Sequence, residues 1–176
     1  MNSEFRIQNS ESQTLAFVAL GGNLGDAQAT VRDAIERLAT LACSPVRSSS
    51  LWRSTPVDCP AGSPDFINAV VAFAPLPRFT PETLLVELQT FEREFGRVPK
   101  KVINEARPLD LDLLTWGGEV RNTPTLTLPH PRAHLRRFVL QPLSELAPDL
   151  VLPRQTRTVT ELLTDLPLGE VLERVR

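Results

Sequence analysis

Two aspartates separated by a single leucine are the residues whose types and spacing best suit catalytic chemistry in this sequence. Asp110 and Asp112 alternate with Leu109, Leu111 and Leu113. In a strand, successive side chains point to opposite faces, so the leucines would face a core and the two carboxylates would share the other face, about 6.5 Å apart. Because Mg²⁺ is typically held by one or two carboxylates together with substrate phosphates and water, the pattern favours a metal–nucleotide site over a closed protein metal cage.

Basic residues flank the acidic pair on both sides. A bare Asp-x-Asp is more often the solvated face of a half-exposed strand than a metal site. Here, however, several cations lie close to it in the sequence, namely Arg97, Lys100, Lys101, Arg107, Arg132, Arg136 and Arg137. Metal-binding carboxylates beside several cations are typical of a site in which a polyphosphate lies between them. The flanks therefore favour the metal–nucleotide interpretation.

Two further patterns are less specific. Residues 21–25 (Gly-Gly-Asn-Leu-Gly) follow a predicted strand and precede a predicted helix, as phosphate loops do, but they lack the Gly-Lys-Ser/Thr ending of a P-loop. Taken alone they predict a turn and a helix start. His130 and His134 have the spacing of a zinc-binding pair, but Pro131 lies between them and no glutamate follows His130. We expect His130 to donate a hydrogen bond near the phosphates and His134 to lie on the surface.

The elements that must position these residues alternate between strands and helices along the chain. Strands are predicted at 15–20, 46–53, 66–73 and 109–116, with a hairpin turn at 117–118 leading back to Val120. Helices are predicted at 26–42 and from Thr80 to a stop at Gly96, followed by short pieces broken by proline at 129–148 and a last helix at 158–165. This order predicts an α+β fold, a ferredoxin-like domain with helices packed on a mixed or antiparallel sheet.

Length and composition limit the classes of protein to which the chain can belong. The 176 residues fit one domain, which we place at 15–176 after a polar tail at 1–14. The formal net charge of -2 gives no reason to expect nucleic-acid binding. No apolar run approaches the length of a membrane span, and the two cysteines, Cys43 and Cys59, do not form a disulfide framework. We therefore expect a cytoplasmic protein with no membrane partner, and a monomer.

A series of short motifs between Leu15 and Leu152 resembles those of the 6-hydroxymethyl-7,8-dihydropterin pyrophosphokinase family, which acts in folate biosynthesis. Each motif is weak alone, whereas their order and spacing together are specific. In chain order they are 21–25 (Gly-Gly-Asn-Leu-Gly), 54–57 (Ser-Thr-Pro-Val), 64–70 (Pro-Asp-Phe-Ile-Asn-Ala-Val), Gln89 with Glu92, 96–97 (Gly-Arg), 106–112 (Ala-Arg-Pro-Leu-Asp-Leu-Asp), 128–130 (Leu-Pro-His) and 136–138 (Arg-Arg-Phe).

The resemblance implies a reaction and a role for each matching residue. The pterin hydroxyl would attack the β-phosphorus of ATP, giving AMP and the pterin pyrophosphate, with two Mg²⁺ ions held by Asp110 and Asp112. Arg97 and Arg107 would be catalytic together with the two aspartates. The residues implied to bind the pterin are Thr55, Pro56, Val57, Phe66, Asn68 and Phe138, with the two phenylalanines sandwiching the ring. Those implied to bind ATP are Gln89, Glu92, Arg97, Arg107, Leu113, Thr127, His130 and Arg136.

The basic loop before the acidic pair departs from the family pattern. The family often has Arg-Trp-Gly-Pro where 103–106 (Ile-Asn-Glu-Ala) stand here, so Glu105 replaces a small residue, and Pro99 replaces an arginine of some members. These departures leave open which residues of 98–106 contact ATP. The loops 54–65 and 97–107 are candidates to close over the site. Two alternatives to the pyrophosphokinase remain, another Mg–ATP phosphotransferase and a non-catalytic nucleotide- or pterin-binding module.

Overall fold

The structure is a computed structural model, and it describes residues 13–57, 59–99, 105–167, 169 and 171–176. The strands are β1 (Ala16–Gly22), β2 (Arg47–Ser48), β3 (Trp52–Ser54), β4 (Phe66–Phe73), β5 (Asp110–Trp116), β6 (Arg121–Asn122), β7 (Thr127–Leu128) and β8 (Leu172–Arg174). The α-helices are α1 (Ala27–Leu38), α2 (Pro81–Glu94), α3 (Arg137–Leu146) and α4 (Val159–Asp165), and Ala39–Leu41 and Ala133–Leu135 form 3₁₀ helices. No helix in these described ranges is long and apolar enough to cross a membrane.

The main sheet is antiparallel at every pairing. Its order is β5-β1-β4-β3-β8, and β2 pairs with β4 beside β3. One helix connects β1 to the β2–β3 region and a second connects β4 to β5, which is the βαββαβ connectivity of ferredoxin-like domains. The predicted α+β class is confirmed, and of the two predicted kinds of sheet the antiparallel one is correct.

Helices cover both faces of this sheet. On one face, Val18 and Leu20 of β1 pack with Leu111 of β5 against the apolar stripes of α1 and α2. On the other face, Phe17 and Val70 pack against α3 and α4. Because β1 is covered on both sides, its sequence is continuously apolar instead of alternating, as the sequence predicted.

Capping residues start α1, α2 and α4 close to where the sequence predicted. Asp26 caps α1 by accepting a hydrogen bond from the Ala29 N–H. Thr80 caps α2 ahead of Pro81, and Gly96 follows the helix with a φ of 90°. Thr158 and Glu161 form the predicted capping box of α4.

The structure differs from the sequence predictions in three features and adds one strand that was not predicted. The single strand at 46–53 is two short strands, because the Ser49 hydroxyl takes the Val70 N–H bond that a continuous ladder would use. The hairpin prediction after Gly117 is wrong, since Arg121 and Asn122 pair with β7 and not with β5. Pro142 lies inside α3, where it removes one N–H donor without ending the helix. Strand β8, which was not predicted, pairs with the exposed edge of β3.

Candidate active site

A cavity of about 770 Å³ lies at the end of the sheet where β1 ends and β4 and β5 begin. The strand order places β1 between the other two, so groups on β4 and β5 face the same space from either side of it. The cavity extends past the start of β5 to α2 and is closed on the other side by α3 and the residues before it. Side chains from both halves of the chain therefore meet here.

The floor of the cavity is made of small residues. Gly21 pairs with Asn68 on one side and with Asp110 on the other, while Ala19 pairs with Asp112. A Cβ at Gly21 would lie 3.4 Å from the Asn68 Oδ1 atom, in the space over the sheet. With strands spaced about 4.8 Å apart, the carboxylates on β5 and the polar residues on β4 are separated by roughly 9.6 Å of open floor. This leaves room for substrate between the two sets of side chains.

Two arginines hold Asp110. Arg97 places its Nη1 2.5 Å from Oδ1, and Arg107 places its Nη2 2.9 Å from Oδ2. The partners of Asp112 are more distant, because the His130 Nε2 and the Arg136 Nη1 both lie 3.8 Å from its Oδ2. Burial raises the pKa of Asp112, and the negative charge of Asp110 raises it further, against the opposing effect of His130 and Arg136. Two carboxylates are thus collected on one strand face among cations.

The donor chemistry of this pair suits a Mg²⁺ ion that is shared with a substrate. Within the described ranges, no group of three or more His, Cys, Asp or Glu side chains is arranged to hold a metal ion. Two carboxylates two residues apart on one strand are the oxygen ligands that Mg²⁺ accepts from a protein when substrate phosphates and water supply the rest. The residues present therefore fit the metal that the sequence predicted.

Glu92 connects helix α2 to this acidic strand. Its side chain is buried, its Oε1 accepts a 2.7 Å hydrogen bond from the Leu111 N–H, and the same oxygen pairs with the Arg97 guanidinium. Burial is the largest influence and raises the pKa of Glu92 to about 7. The result is that Arg97 is held between Glu92 and Asp110, which fixes its position at the start of β5.

His130 is held as a neutral donor that points at Asp112. The Arg132 N–H donates to its Nδ1 at 3.2 Å, so the ring proton of the neutral form lies on Nε2, the atom nearest Asp112. Burial and the nearby charges of Arg136 and Arg132 lower the pKa of His130, although Asp112 opposes this. An Nε2–H group at this place can donate to a phosphate oxygen at neutral pH.

Aromatic rings and an amide line the other part of the cavity. Phe66 and Asn68 lie on the same face of β4, as the predicted pleat requires, and Phe138 lies near the start of α3. The Asn68 Nδ2 donates to the Ser54 Oγ at 2.9 Å, which fixes the amide at the cavity wall. The Arg107 Cζ lies 5.4 Å from the Phe66 ring centroid, and the Arg136 Cζ lies 5.4 Å from that of Phe138. Each ring thus touches the cationic part of the site.

Most residues implied by the family resemblance line this one cavity. They are Thr55, Val57, Phe66, Asn68, Gln89, Glu92, Arg97, Arg107, Asp110, Asp112, His130, Arg136 and Phe138. Pro56, between two lining residues, does not itself line it, and Thr127 lies in β7 outside it. Leu113 is buried in the core beneath α1 and α2, so any contact that it makes with a nucleotide would have to come from its backbone.

Several lining residues escaped the sequence reasoning. Arg132 was noted only as a nearby charge, although its backbone fixes the tautomer of His130. Ser54 and Cys59, which lie in the predicted loop 54–65 but were assigned no binding role, also line the cavity, as do Leu135 and Val139 near Phe138. Val139 follows Phe138 directly in the sequence, but adjacency alone does not predict that both line the cavity. Nothing in the sequence shows which side of α3 faces the cavity.

Comparison with known families decides where the chain belongs. The model of the family 7,8-dihydro-6-hydroxymethylpterin-pyrophosphokinase matches residues 17–148, which contain the sheet core and most of the cavity wall. The chain belongs to this family. The family resemblance stated from the motifs is therefore confirmed.

Individual relatives agree with this assignment. The chain is 40% identical over 148 residues to the Haemophilus influenzae 2-amino-4-hydroxy-6-hydroxymethyldihydropteridine pyrophosphokinase, covering 84% of this chain and 89% of that protein. It is also 40% identical over 162 residues to the Pseudomonas aeruginosa enzyme of the same name, covering 90% of this chain and 95% of the other. The folic acid synthesis protein fol1 of Pneumocystis carinii is 37% identical over 153 residues, covering 86% of this chain.

Some relatives are much longer than this chain. It spans 20% of the length of the Pneumocystis carinii protein. Among solved structures, wild-type Plasmodium falciparum HPPK-DHPS with pteroate shares the fold with a TM-score of 0.68 at 12% identity, covering 90% of this chain and 43% of that one. In these proteins the domain is one part of a longer polypeptide.

Proposed function

We propose that this chain transfers the pyrophosphoryl group of ATP to 6-hydroxymethyl-7,8-dihydropterin, giving AMP and the pterin pyrophosphate for folate biosynthesis. The chain belongs to this family, and its large cavity has two parts with different chemistry. This division is the observation that carries the proposal. The phosphate side consists of Arg97, Arg107, Asp110, Asp112, His130 and Arg136, and the ring side consists of Phe66, Asn68 and Phe138. A flat aromatic alcohol suits the ring side and a polyphosphate suits the phosphate side.

The reaction needs an attacking hydroxyl, an electrophilic β-phosphorus and a leaving AMP. The pterin hydroxyl oxygen forms a bond to the β-phosphorus, the bond from that phosphorus to the α–β bridging oxygen breaks, and AMP leaves with this oxygen while the hydroxyl proton passes to water. No covalent enzyme intermediate is required. The protein's contribution is to hold both substrates in line and to stabilise the charge that develops on the phosphate oxygens.

The cations of the phosphate side are placed for this stabilisation. Among the residues that the structure describes, the Nε–H of Arg107 is a buried donor without an acceptor, which a phosphate oxygen would supply. The Nε2–H of His130 and the guanidinium of Arg136 lie next to Asp112 and would donate to the same polyphosphate. Asp110 and Asp112 would hold Mg²⁺, two ions in our proposal, and the bound metal would neutralise phosphate charge.

The ring side would select the second substrate. Phe66 and Phe138 would stack on the two faces of the pterin, and the fixed amide of Asn68 would read its polar edge. The loop residues 55–57 would complete that edge through their backbone groups. We also propose that the chain works in the cytoplasm as a monomer. Its small-molecule partners are the two substrates, and we expect neither nucleic acid nor membrane among its partners.

The test is a product assay on the purified chain. ATP and the hydroxymethyl-dihydropterin are supplied with Mg²⁺, and the nucleotide products are separated. We expect AMP in equal amount to the pterin pyrophosphate, and neither product when Mg²⁺ or the pterin is left out. Formation of ADP would instead favour another phosphotransferase, and formation of neither nucleotide product would favour a binding module.

A further inference from the structure

The turn that follows β1 has no role in the proposed reaction, yet it touches both sides of the site. Asn23 is 4% exposed and does not line the cavity. Its backbone and side chain make three hydrogen bonds, to two loops that are far from it in the sequence and that flank the cavity. A buried amide with this set of partners has to be explained by what it holds in place.

The first connection is to the loop that leads into the acidic strand. The Asn23 N–H donates to the Arg107 carbonyl at 3.0 Å, and the Asn23 Oδ1 accepts from the Arg107 N–H at 2.9 Å. This pair of bonds fixes the backbone of Arg107, whose guanidinium contacts Asp110 and lies over Phe66. The backbone of the phosphate side is therefore anchored to the turn by both backbone polar groups of one residue, Arg107.

The neighbouring glycine makes this connection possible. A Cβ at Gly22 would lie 2.2 Å from the Pro108 carbonyl oxygen, so any side chain there would push the 107–108 backbone away. The absence of a side chain at Gly22 lets the Pro108 backbone approach the turn closely, and this approach places Arg107 within reach of Asn23.

The second connection is to the loop that leads into β4. The Asn23 Nδ2 donates to the Pro64 carbonyl at 3.1 Å. Pro64 precedes Phe66 by two residues and lies near the end of the loop whose Thr55 and Val57 line the cavity. One side-chain amide thus uses its oxygen for the backbone of Arg107 and its nitrogen for the loop that leads into Phe66 of the ring side.

We infer that Asn23 is a positioning residue that couples the ring side to the phosphate side of the site. The expected loss of catalysis rests on the proposed function, whereas the expected loss of the connection between the two loops does not. Both ends of the amide are needed, because the oxygen must accept from Arg107 while the nitrogen must donate to Pro64. Aspartate keeps the acceptor and loses the donor, whereas alanine loses both.

These two substitutions allow the connections to be separated. Asn23→Asp, Asn23→Ala and the control Asn122→Asp, an exposed asparagine of β6, are compared by amide hydrogen exchange in the ligand-free protein. We expect Asn23→Asp to speed exchange at 63–67 but not at 105–109, Asn23→Ala to speed exchange in both segments, and Asn122→Asp to leave both unchanged. Equal rates in wild type and both Asn23 variants would overturn the inference.

Kinetics and binding supply the functional readout. For Asn23→Asp we expect kcat to fall about 10-fold or more, while the separate affinities for a non-hydrolysable ATP analogue and for the pterin change less than about threefold. The coupling between the two sides is measured as the ratio of the pterin affinities with and without the bound analogue. In Asn23→Asp this ratio should lie closer to one than in wild type. An unchanged ratio, or a kcat equal to that of Asn122→Asp, would contradict the coupling role.

Wild-type protein provides a test that does not depend on a variant that folds. Pterin bound alone should slow exchange of the Arg107 amide, because the ring side is tied to that amide through Asn23. An Arg107 amide that exchanges equally fast with and without pterin would count against the inference. These exchange measurements need no turnover, so they can fail or succeed independently of the AMP assay that tests the proposed function.

Discussion

The ring side and the phosphate side of the cavity are built in different ways. Phe66 and Asn68 stand in the regular strand β4 and Phe138 stands near the start of α3. The cations of the phosphate side come instead from a helix end and from loops, as for Arg97, Arg107 and His130. A flat ring can be bound by a regular strand and a helix start, whereas stabilising the charge that develops on a transferring phosphoryl group depends on cations held at specific places around it.

The same contrast recurs between the two aspartates. Asp110 is paired with two arginines at 2.5 and 2.9 Å, while the partners of Asp112 stay at 3.8 Å. The oxygens of Asp110 that we propose as metal ligands are therefore paired with arginines. Asp112 is more available.

Removing either carboxylate should have the largest effect on catalysis. We expect Asp110→Ala and Asp112→Ala each to lower turnover by roughly two orders of magnitude or more, because several kcal/mol of charge stabilisation at the phosphates is lost. The measurement is AMP formation at saturating Mg²⁺, with circular dichroism to show that the fold remains. Near-normal activity in both variants would remove the metal-site interpretation.

Thermal unfolding distinguishes the two aspartates from each other. Asp110→Ala removes the carboxylate that Arg97 and Arg107 share and leaves Arg97 paired with Glu92, so the Tm of this variant should fall by several degrees. Asp112→Ala should change the Tm less, because burial and Asp110 already disfavour its charged form. A larger fall for Asp112→Ala would mean that the contrast between tight and loose pairing does not describe the protein in solution.

The arginine and lysines of the basic loop should differ in what they change. We expect Arg107→Ala to cost more in kcat than the combined Lys100→Ala and Lys101→Ala change, because Arg107 contacts Asp110 and carries a buried donor for phosphate. The two lysines lie outside the residues that the structure describes. We predict that they attract ATP only through long-range charge, giving a modest rise in KM that fades with salt.

Assays of both variants at low and high ionic strength decide between these roles. If the lysine double variant loses more kcat than Arg107→Ala, the phosphate contacts lie at the loop tip and the assignment of Arg107 is wrong. A salt-independent KM for the lysine variant would likewise contradict the long-range role.

Losing one stacking ring should weaken binding of the pterin alone. We expect Phe138→Ala to reduce pterin affinity by about 1–3 kcal/mol and to change ATP affinity much less. Phe79→Ala is a matched control, because Arg78 lies 4.8 Å from the Phe79 centroid much as Arg136 lies over Phe138, but Phe79 does not line the cavity. Equal losses of both ligands in separate titrations would indicate a packing role for Phe138.

The smallest effect concerns pH and Glu92. Its pKa is raised from 4.5 to about 7 in the folded protein, so between these values the folded chain binds more protons than the unfolded chain. The free energy of unfolding contributed by this group therefore falls as pH rises from about 5 to 7, by about 1–3 kcal/mol. Glu92→Gln should lose this dependence and keep the bond to the Leu111 N–H.

Urea unfolding of the ligand-free protein at several pH values measures this dependence. Glu36→Gln, an exposed glutamate of α1, is the control and should follow wild type. Parallel curves for wild type and Glu92→Gln across this window would show that Glu92 titrates at its ordinary value and that burial does not dominate its environment.

Sequence periodicity predicted the regular parts of the molecule. The alternation at 109–113 placed both aspartates on one face, and that of β4 placed Phe66 with Asn68, because side chains on a strand alternate whatever surrounds them. Strand β8 was missed because a three-residue strand at an exposed edge carries little pattern and depends on pairing with β3. The hairpin prediction after Gly117 was wrong for the same reason, because the pairing of β6 with β7 depends on the tertiary structure.

The long-range contacts that assemble the site could not be predicted from sequence periodicity. Glu92 bonds to the backbone of Leu111 across 19 residues, and Asn23 bonds to Pro64 and Arg107 across 41 and 84 residues. Residue type and spacing do not encode these distances, since a buried amide or carboxylate can be satisfied by any nearby backbone group. The family motifs identified Glu92 and 21–25 as characteristic segments without indicating what they contact.

The most direct test of the central claim follows one oxygen atom through the reaction. ATP labelled with ¹⁸O at the α–β bridging position is turned over with the hydroxymethyl-dihydropterin, and the products are analysed by mass spectrometry. Because the pterin hydroxyl is proposed to attack the β-phosphorus in a cavity that holds both substrates, the label should leave entirely with AMP and the pterin should carry an unlabelled pyrophosphate. Labelled ADP, or label on the pterin product, would contradict the account.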